Sequence, residues 1–139
     1  MKKTAFLFSV AFVLNIATLA AQKSVAIAGP PRLSAADMLM CNVDWHVISV
    51  EEWAIVTKPP GEKNKNDMLH LNANGTYTAI LFGNSKSGSW TKSGQYINCV
   101  DEATKEKFSY KVISVEEKKL KLDYRDPDET HSIFEMEPK

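Results

Sequence analysis

At 139 residues the chain has room for one domain, because a single hydrophobic core organises roughly 100 to 200 residues. Its 17 basic and 17 acidic residues cancel and its lysines alternate with acids, which excludes the clustered cationic surface that nucleic acid binding needs. No HExxH, GxSxG, Walker or GxGxxG pattern occurs, so nucleophile, phosphate and dinucleotide chemistry have no support in the residues.

The N-terminus reads as a secretory signal. Lys2 and Lys3 precede a run from Ala5 to Ala21 that is apolar except at Ser9, Asn15 and Thr18, and small residues close it. Cleavage is expected after Ala21, with Ala20 and the Ala26-Ile27-Ala28 stretch as alternatives. An uncleaved anchor is the competing reading, but a spanning helix wants about 20 apolar residues and this run is shorter. Met40 before Cys41 lacks the small residue that a lipid-anchored cysteine requires. The expected organisation is a signal peptide over 1–21, a flexible Gly- and Pro-containing leader over 22–33, and a domain over 34–139. Removing the signal leaves 15 basic against 17 acidic residues, a net charge near −2, and places the protein in the periplasm or outside the cell with no membrane span.

Ser34 with Asp37 three residues on predicts a short capped helical turn running into Met38, Leu39 and Met40. Past Cys41 the apolar period becomes two. Residues 42–56, with Trp45, Val47, Ile48, Val50, Trp53, Ile55 and Val56, form one bent strand or two shorter ones. Residues 58–67 hold Pro59, Pro60, Gly61 and three lysines and read as a solvated loop. Residues 68–73 alternate, Asn74-Gly75 supplies a tight hairpin turn, and 76–82 returns as a β-branched and aromatic strand. A turn over 83–86 leads to the strand of Trp90, and Ser93-Gly94 turns into 95–100. After a polar link at 101–106, strands at 107–114, 119–124 and 130–136 alternate around turns at 116–118 and Asp126-Pro127-Asp128.

Eight short strands on tight turns must pair antiparallel with their sequence neighbours, since so few residues cannot carry a parallel crossover. Closing the sheet removes its two edges. The expected fold is therefore all-β, an eight-stranded antiparallel up-and-down barrel behind a short N-terminal helix; a two-sheet β-sandwich is the alternative. Cys41 and Cys99, the two cysteines of an exported chain, are expected to form a disulfide closing a loop of about 59 residues, which constrains the unfolded chain by roughly 4 kcal/mol.

The order helix, Trp45 strand, Leu69-His70-Leu71-Asn72-Ala73-Asn74-Gly75-Thr76-Tyr77-Thr78, then Ser87-Gly88-Ser89-Trp90, resembles the small lipocalin-like domains of secreted bacterial proteins over about residues 41–136. It departs from them at Val43, where they carry glycine two residues before the first tryptophan. The resemblance implies an eight-stranded barrel or half-open calyx whose open end is covered by the loop after the first strand. Many such domains have no assigned activity.

His46, His70 and His131 lie on different strands without metal-ligand spacing, so no metal is expected. The carboxylate pairs Glu51-Glu52, Asp101-Glu102, Glu116-Glu117 and Asp128-Glu129 are sequence neighbours, which a strand points to opposite faces, so no cooperating acid and base is expected. Asn74-Gly75-Thr76 matches a glycosylation acceptor, but the hairpin accounts for it. The expected function is a non-enzymatic, cofactor-free, monomeric binding module that takes a small apolar or amphipathic ligand into the barrel, lined by Trp45, Trp53, Leu71, Tyr77, Trp90, Phe108, Tyr110 and Leu122. The alternative is an interaction or inhibitor domain with a filled barrel, which binds another exported protein through the 58–67 loop with Trp53 at its root.

Overall fold

A computed structural model describes residues 32–128 and 131–139; the expected signal peptide and all of the leader up to residue 31 lie outside the described residues. The capped turn expected at Ser34 is present. Ser34 caps helix α1 (Ala35–Met38): its Oγ accepts from the Asp37 N–H at 3.1 Å, and the Asp37 carboxylate accepts from the Ser34 N–H at 3.1 Å. A helix of one turn cannot persist alone, and this one is fixed by a 3.1 Å ion pair from Asp37 to Lys92 and by packing toward the barrel wall.

Nine strands follow: β1 (Asp44–Glu52), β2 (Ile55–Thr57), β3 (Met68–Leu71), β4 (Thr76–Leu81), β5 (Asn84–Ser93), β6 (Tyr96–Asp101), β7 (Lys107–Glu116), β8 (Lys119–Arg125) and β9 (His131–Pro138). From β3 to β9 each strand pairs antiparallel with the next. One edge of β1 meets β3 at Asp44↔His70, and its other edge meets β9 from Trp45↔Pro138 to Glu51↔Ile133. That closes an eight-stranded antiparallel barrel and excludes the sandwich. Residues 42–56 resolve into two strands, because β1 outruns β3 and the chain folds back to pair Val50↔Thr57, Glu51↔Val56 and Glu52↔Ile55. The ninth strand, β2, thus sits on the barrel's rim.

The registers define two ends. The helix end gathers α1 and the β3–β4, β5–β6 and β7–β8 turns. The loop end gathers the β1–β2 hairpin, residues 58–67, and the β4–β5, β6–β7 and β8–β9 connections. Turn chemistry follows the residues in most places. Gly75 (φ 94°) closes the β3–β4 turn while Asn72 N–H donates to the Thr76 carbonyl, so the left-handed residue is the glycine alone. The β4–β5 turn is shorter than the expected 83–86, spanning only Phe82 (φ 51°) and Gly83 (φ 78°).

Alternation puts the core inside. Trp45, Leu71, Tyr77, Trp90, Ile97, Cys99, Phe108, Tyr110, Leu120, Leu122, Tyr124 and Phe134 are buried, each separated from the next inward position by one outward residue on its strand. Both tryptophans seal the helix end with their indole N–H groups satisfied, Trp45 on the Met40 carbonyl at 3.0 Å and Trp90 on the Asn72 carbonyl at 2.9 Å. Gly88 explains the Gly-x-Trp pattern, since a Cβ there would overlap the Val100 carbonyl oxygen where β5 and β6 approach.

The expected disulfide is not formed: Cys41 and Cys99 are both free and buried. The chain's turn into β1 directs the Cys41 thiol back at the Asp37 carbonyl, 3.7 Å away, whereas Cys99 faces inward on β6 between Trp90 and Phe108. Each sulfur is housed by its own neighbours. Burial pushes the Cys99 thiol up to about 12 and raises that of Cys41 as well, so both are protonated, unreactive core groups.

Candidate functional site

Seven of the eight residues expected to line a ligand site are sealed. Trp45, Leu71 and Leu122 have no accessible surface, and Tyr77, Trp90, Phe108 and Tyr110 have almost none. Side chains that walled a ligand-sized void would carry surface facing it, so these act as packing. A chain of ring contacts runs through the same space: Tyr77–Phe108 at 5.9 Å, Phe108–Tyr110 at 5.8 Å, Tyr110–Tyr124 at 5.8 Å and Tyr124–Phe134 at 6.2 Å. Burial holds the Tyr77 and Tyr110 hydroxyls well above their ordinary ionisation range, and it pushes Tyr124 up to about 12. The Tyr77 hydroxyl is buried without a hydrogen-bond partner.

The loop end is plugged by a residue that the alternation pattern did not single out. Phe82 turns its ring inward onto Tyr124 at 5.4 Å and Phe134 at 5.9 Å, with the Lys63 ammonium 4.5 Å over its outer face. A left-handed phenylalanine needs holding, and Asp67 holds it. The Asp67 carboxylate accepts from Phe82 N–H at 2.8 Å, Gly83 N–H at 3.0 Å and Asn64 Nδ2 at 2.8 Å, while its carbonyl accepts from Val47 N–H at 3.0 Å. The 58–67 segment is therefore not wholly solvated, as its composition implied: Asn64 and Asp67 are buried and tie it to the barrel.

Among the described residues, the most exposed large apolar side chains stand together on the β1–β2 hairpin. Trp53, at its tip, is 94 % exposed, and Ile55 and Val56 are 69 % and 60 % exposed. Both central residues of the turn, Trp53 (φ 54°) and Ala54 (φ 62°), are left-handed, a geometry that hairpins ordinarily give to Asn-Gly. Beside the hairpin, Val47, Ile48, Pro59 and Pro60 make an apolar groove of about 470 Å³ edged by Lys58 and Lys65. A second groove of about 540 Å³ lies on the barrel's flank between Asn98, Val100, Lys107, Ser109, Arg125 and Pro127. Of the expected ligand residues, Phe108 lines this second groove with the small part of its surface that is accessible, Trp53 stands exposed on the hairpin, and the other six are buried.

The histidines do not converge. His70 Nδ1 lies 2.6 Å from Asp44 and its Nε2 lies 3.1 Å from Asn72, and His131 lies 3.2 Å from Asp123, which also accepts from Arg125. Among the described residues no three His, Cys, Asp or Glu side chains cluster as metal ligands would. No helix among them is long and apolar enough to cross a membrane. Sequence reasoning missed Asp67, whose signal is the Asn64-x-x-Asp67 spacing just before a strand, a pattern that folds into a side-chain-capped turn.

The molecule is thus a closed, filled antiparallel barrel, consistent with a calycin-like fold, that carries one protruding apolar hairpin. No family model and no curated protein matches the chain.

Proposed function

We propose that this is an exported, non-enzymatic interaction module of the lipocalin-like type, in which the filled barrel is a scaffold and the β1–β2 hairpin with the 58–67 segment grips another exported protein. One observation carries the reading: three large apolar side chains, Trp53, Ile55 and Val56, stand in solvent on a finger beyond the barrel rim, while the aromatic interior is sealed. Exposed tryptophans on rigid supports serve as anchors in protein interfaces, where a few desolvated aromatics supply most of the affinity. The Asp67 clamp supplies the rigid support, because it fastens the segment below the finger to the barrel wall.

The test is a photo-cross-linking side chain installed in place of Trp53, with a control in place of Tyr96 on the opposite, helix end of the barrel. Irradiation in the native host should yield a discrete protein adduct from position 53 and none from position 96. Equal labelling from both positions, or no adduct from position 53, would overturn the proposal.

A further inference from the structure

β2 has a neighbour on one side only: it pairs with β1 and ends the strand order. In a hairpin with a two-residue turn, the pair flanking the turn exchanges both hydrogen bonds and the next pair exchanges none. Glu52↔Ile55 and Val50↔Thr57 are therefore the bonded pairs, and at Glu51↔Val56 the Val56 N–H and carbonyl point away from β1. Both face the open edge. Lys58 and Pro59 follow β2 directly, so this edge runs into the groove of Val47, Ile48, Pro59 and Pro60.

We infer that the free edge of β2 receives an extended, acidic segment of a partner polypeptide as an added strand, an inference that rests on the interaction reading above. Three observations select this occupant. The outward backbone groups of Val56 call for a partner with its own backbone donors and acceptors, as strand addition provides. The exposed Trp53, Ile55 and Val56 offer apolar contacts to its side chains. The charged groups edging the groove are both ammonium groups; Lys65 is held by Glu62 at 2.6 Å, and Lys58 makes no ion pair among the described residues, so the complementary charge on the segment is a carboxylate.

Other occupants fit worse. A bilayer core would leave the Val56 backbone groups unsatisfied. Around the finger, Glu51, Glu52 and Glu62 balance Lys58, Lys63 and Lys65, leaving no net attraction to anionic lipid. A second copy would meet this edge with a three-residue strand, far short of the roughly 800 Å² per partner that stable dimers bury.

The experiment screens a displayed library of random ten-residue peptides against the folded exported chain. Enriched peptides should alternate β-branched or aromatic residues and carry Asp or Glu toward one end. Val56→Pro keeps the hairpin, since the lost N–H faces outward, and should weaken an enriched peptide at least tenfold. Lys58→Glu should weaken it about fivefold, and Trp53→Ser at least tenfold. If Val56→Pro binds as well as the parent while Trp53→Ser does not, strand addition is overturned and the interaction reading stands. Peptides indifferent to all three substitutions overturn both. Absence of enrichment, or Trp53-dependent sedimentation with phosphatidylglycerol vesicles in its place, overturns the inference.

Discussion

Asp67 shows what one buried side chain can do for a surface. Its carboxylate replaces water with three donors, two of them the backbone N–H groups of the left-handed Phe82-Gly83 turn, and so holds the plug of the loop end against the barrel's rings. Hydrogen bonds to a charged acceptor contribute about 1.5 to 3 kcal/mol each when truncation leaves the donors buried and unpaired, although such losses do not add fully. Asp67→Ala should therefore lower unfolding free energy by about 3 to 4 kcal/mol in urea titration. Asp67→Asn, which keeps one acceptor oxygen, should lose about half as much. Equal losses for the two would show that volume rather than hydrogen bonding matters here. The remaining buried carboxylates work locally in the same manner: Asp101 accepts from Ala103 N–H and the Thr104 hydroxyl within its own connection, and Asp123 binds the Arg125 guanidinium beside it.

At the scale of elements, the strands were readable because they obey one rule and the hairpin finger was not because it breaks one. Alternation located the inward rows of β3 to β9, and glycines marked the turns at Gly75 and Gly94, where positive φ comes without a Cβ penalty. Nothing in Trp53-Ala54 announces a left-handed pair, so residues 42–56 could be read equally as one bent strand. Phe82 escaped the inward pattern for a related reason: it lies in a turn, where alternation has no meaning, and enters the core only through the Asp67 clamp. Holding two non-glycine residues left-handed costs about 1 to 2 kcal/mol each. The double substitution Trp53→Asn, Ala54→Gly should consequently stabilise the protein by about 1 to 2 kcal/mol, read as a higher urea midpoint, while abolishing the position-53-dependent contact. A stability gain without loss of capture would mean that the tip is not the anchor. Strain kept at an exposed tip, where relieving it is chemically simple, accords with the contact role proposed for the finger.

Across the whole molecule, closure and filling have a consequence that no single strand carries. The barrel buries several weak acids in their neutral forms: Cys99, pushed from 9.0 to about 12, Tyr124, pushed from 10.0 to about 12, and Tyr77 and Tyr110, both raised, each chiefly because burial disfavours the ionised group. The unfolded chain releases these protons at ordinary acidity whereas the folded chain retains them. Stability from these groups is complete below pH 9 and declines as pH rises toward 12, because above pH 9 the unfolded state binds fewer protons than the folded one. Urea midpoints should stay level between pH 7 and 8.5 and fall steadily above pH 9. The Lys119–Glu135 pair pulls the same way, since Glu135 raises the Lys119 ammonium, but it lies in solvent and its share is small. Cys99→Ala separates the contributions: it lowers stability at every pH through the cavity it leaves, and it makes the earliest part of the decline, just above pH 9, shallower, because there the two thiols titrate before the tyrosines in the unfolded chain and only the Cys41 share remains. A Cys99→Ala profile parallel to the parent's across that interval would show that the thiol is not held protonated by the barrel. A filled interior thus leaves its mark on the pH profile, whereas a water-lined calyx would let the same groups ionise near their ordinary values and keep the curve level for at least another unit.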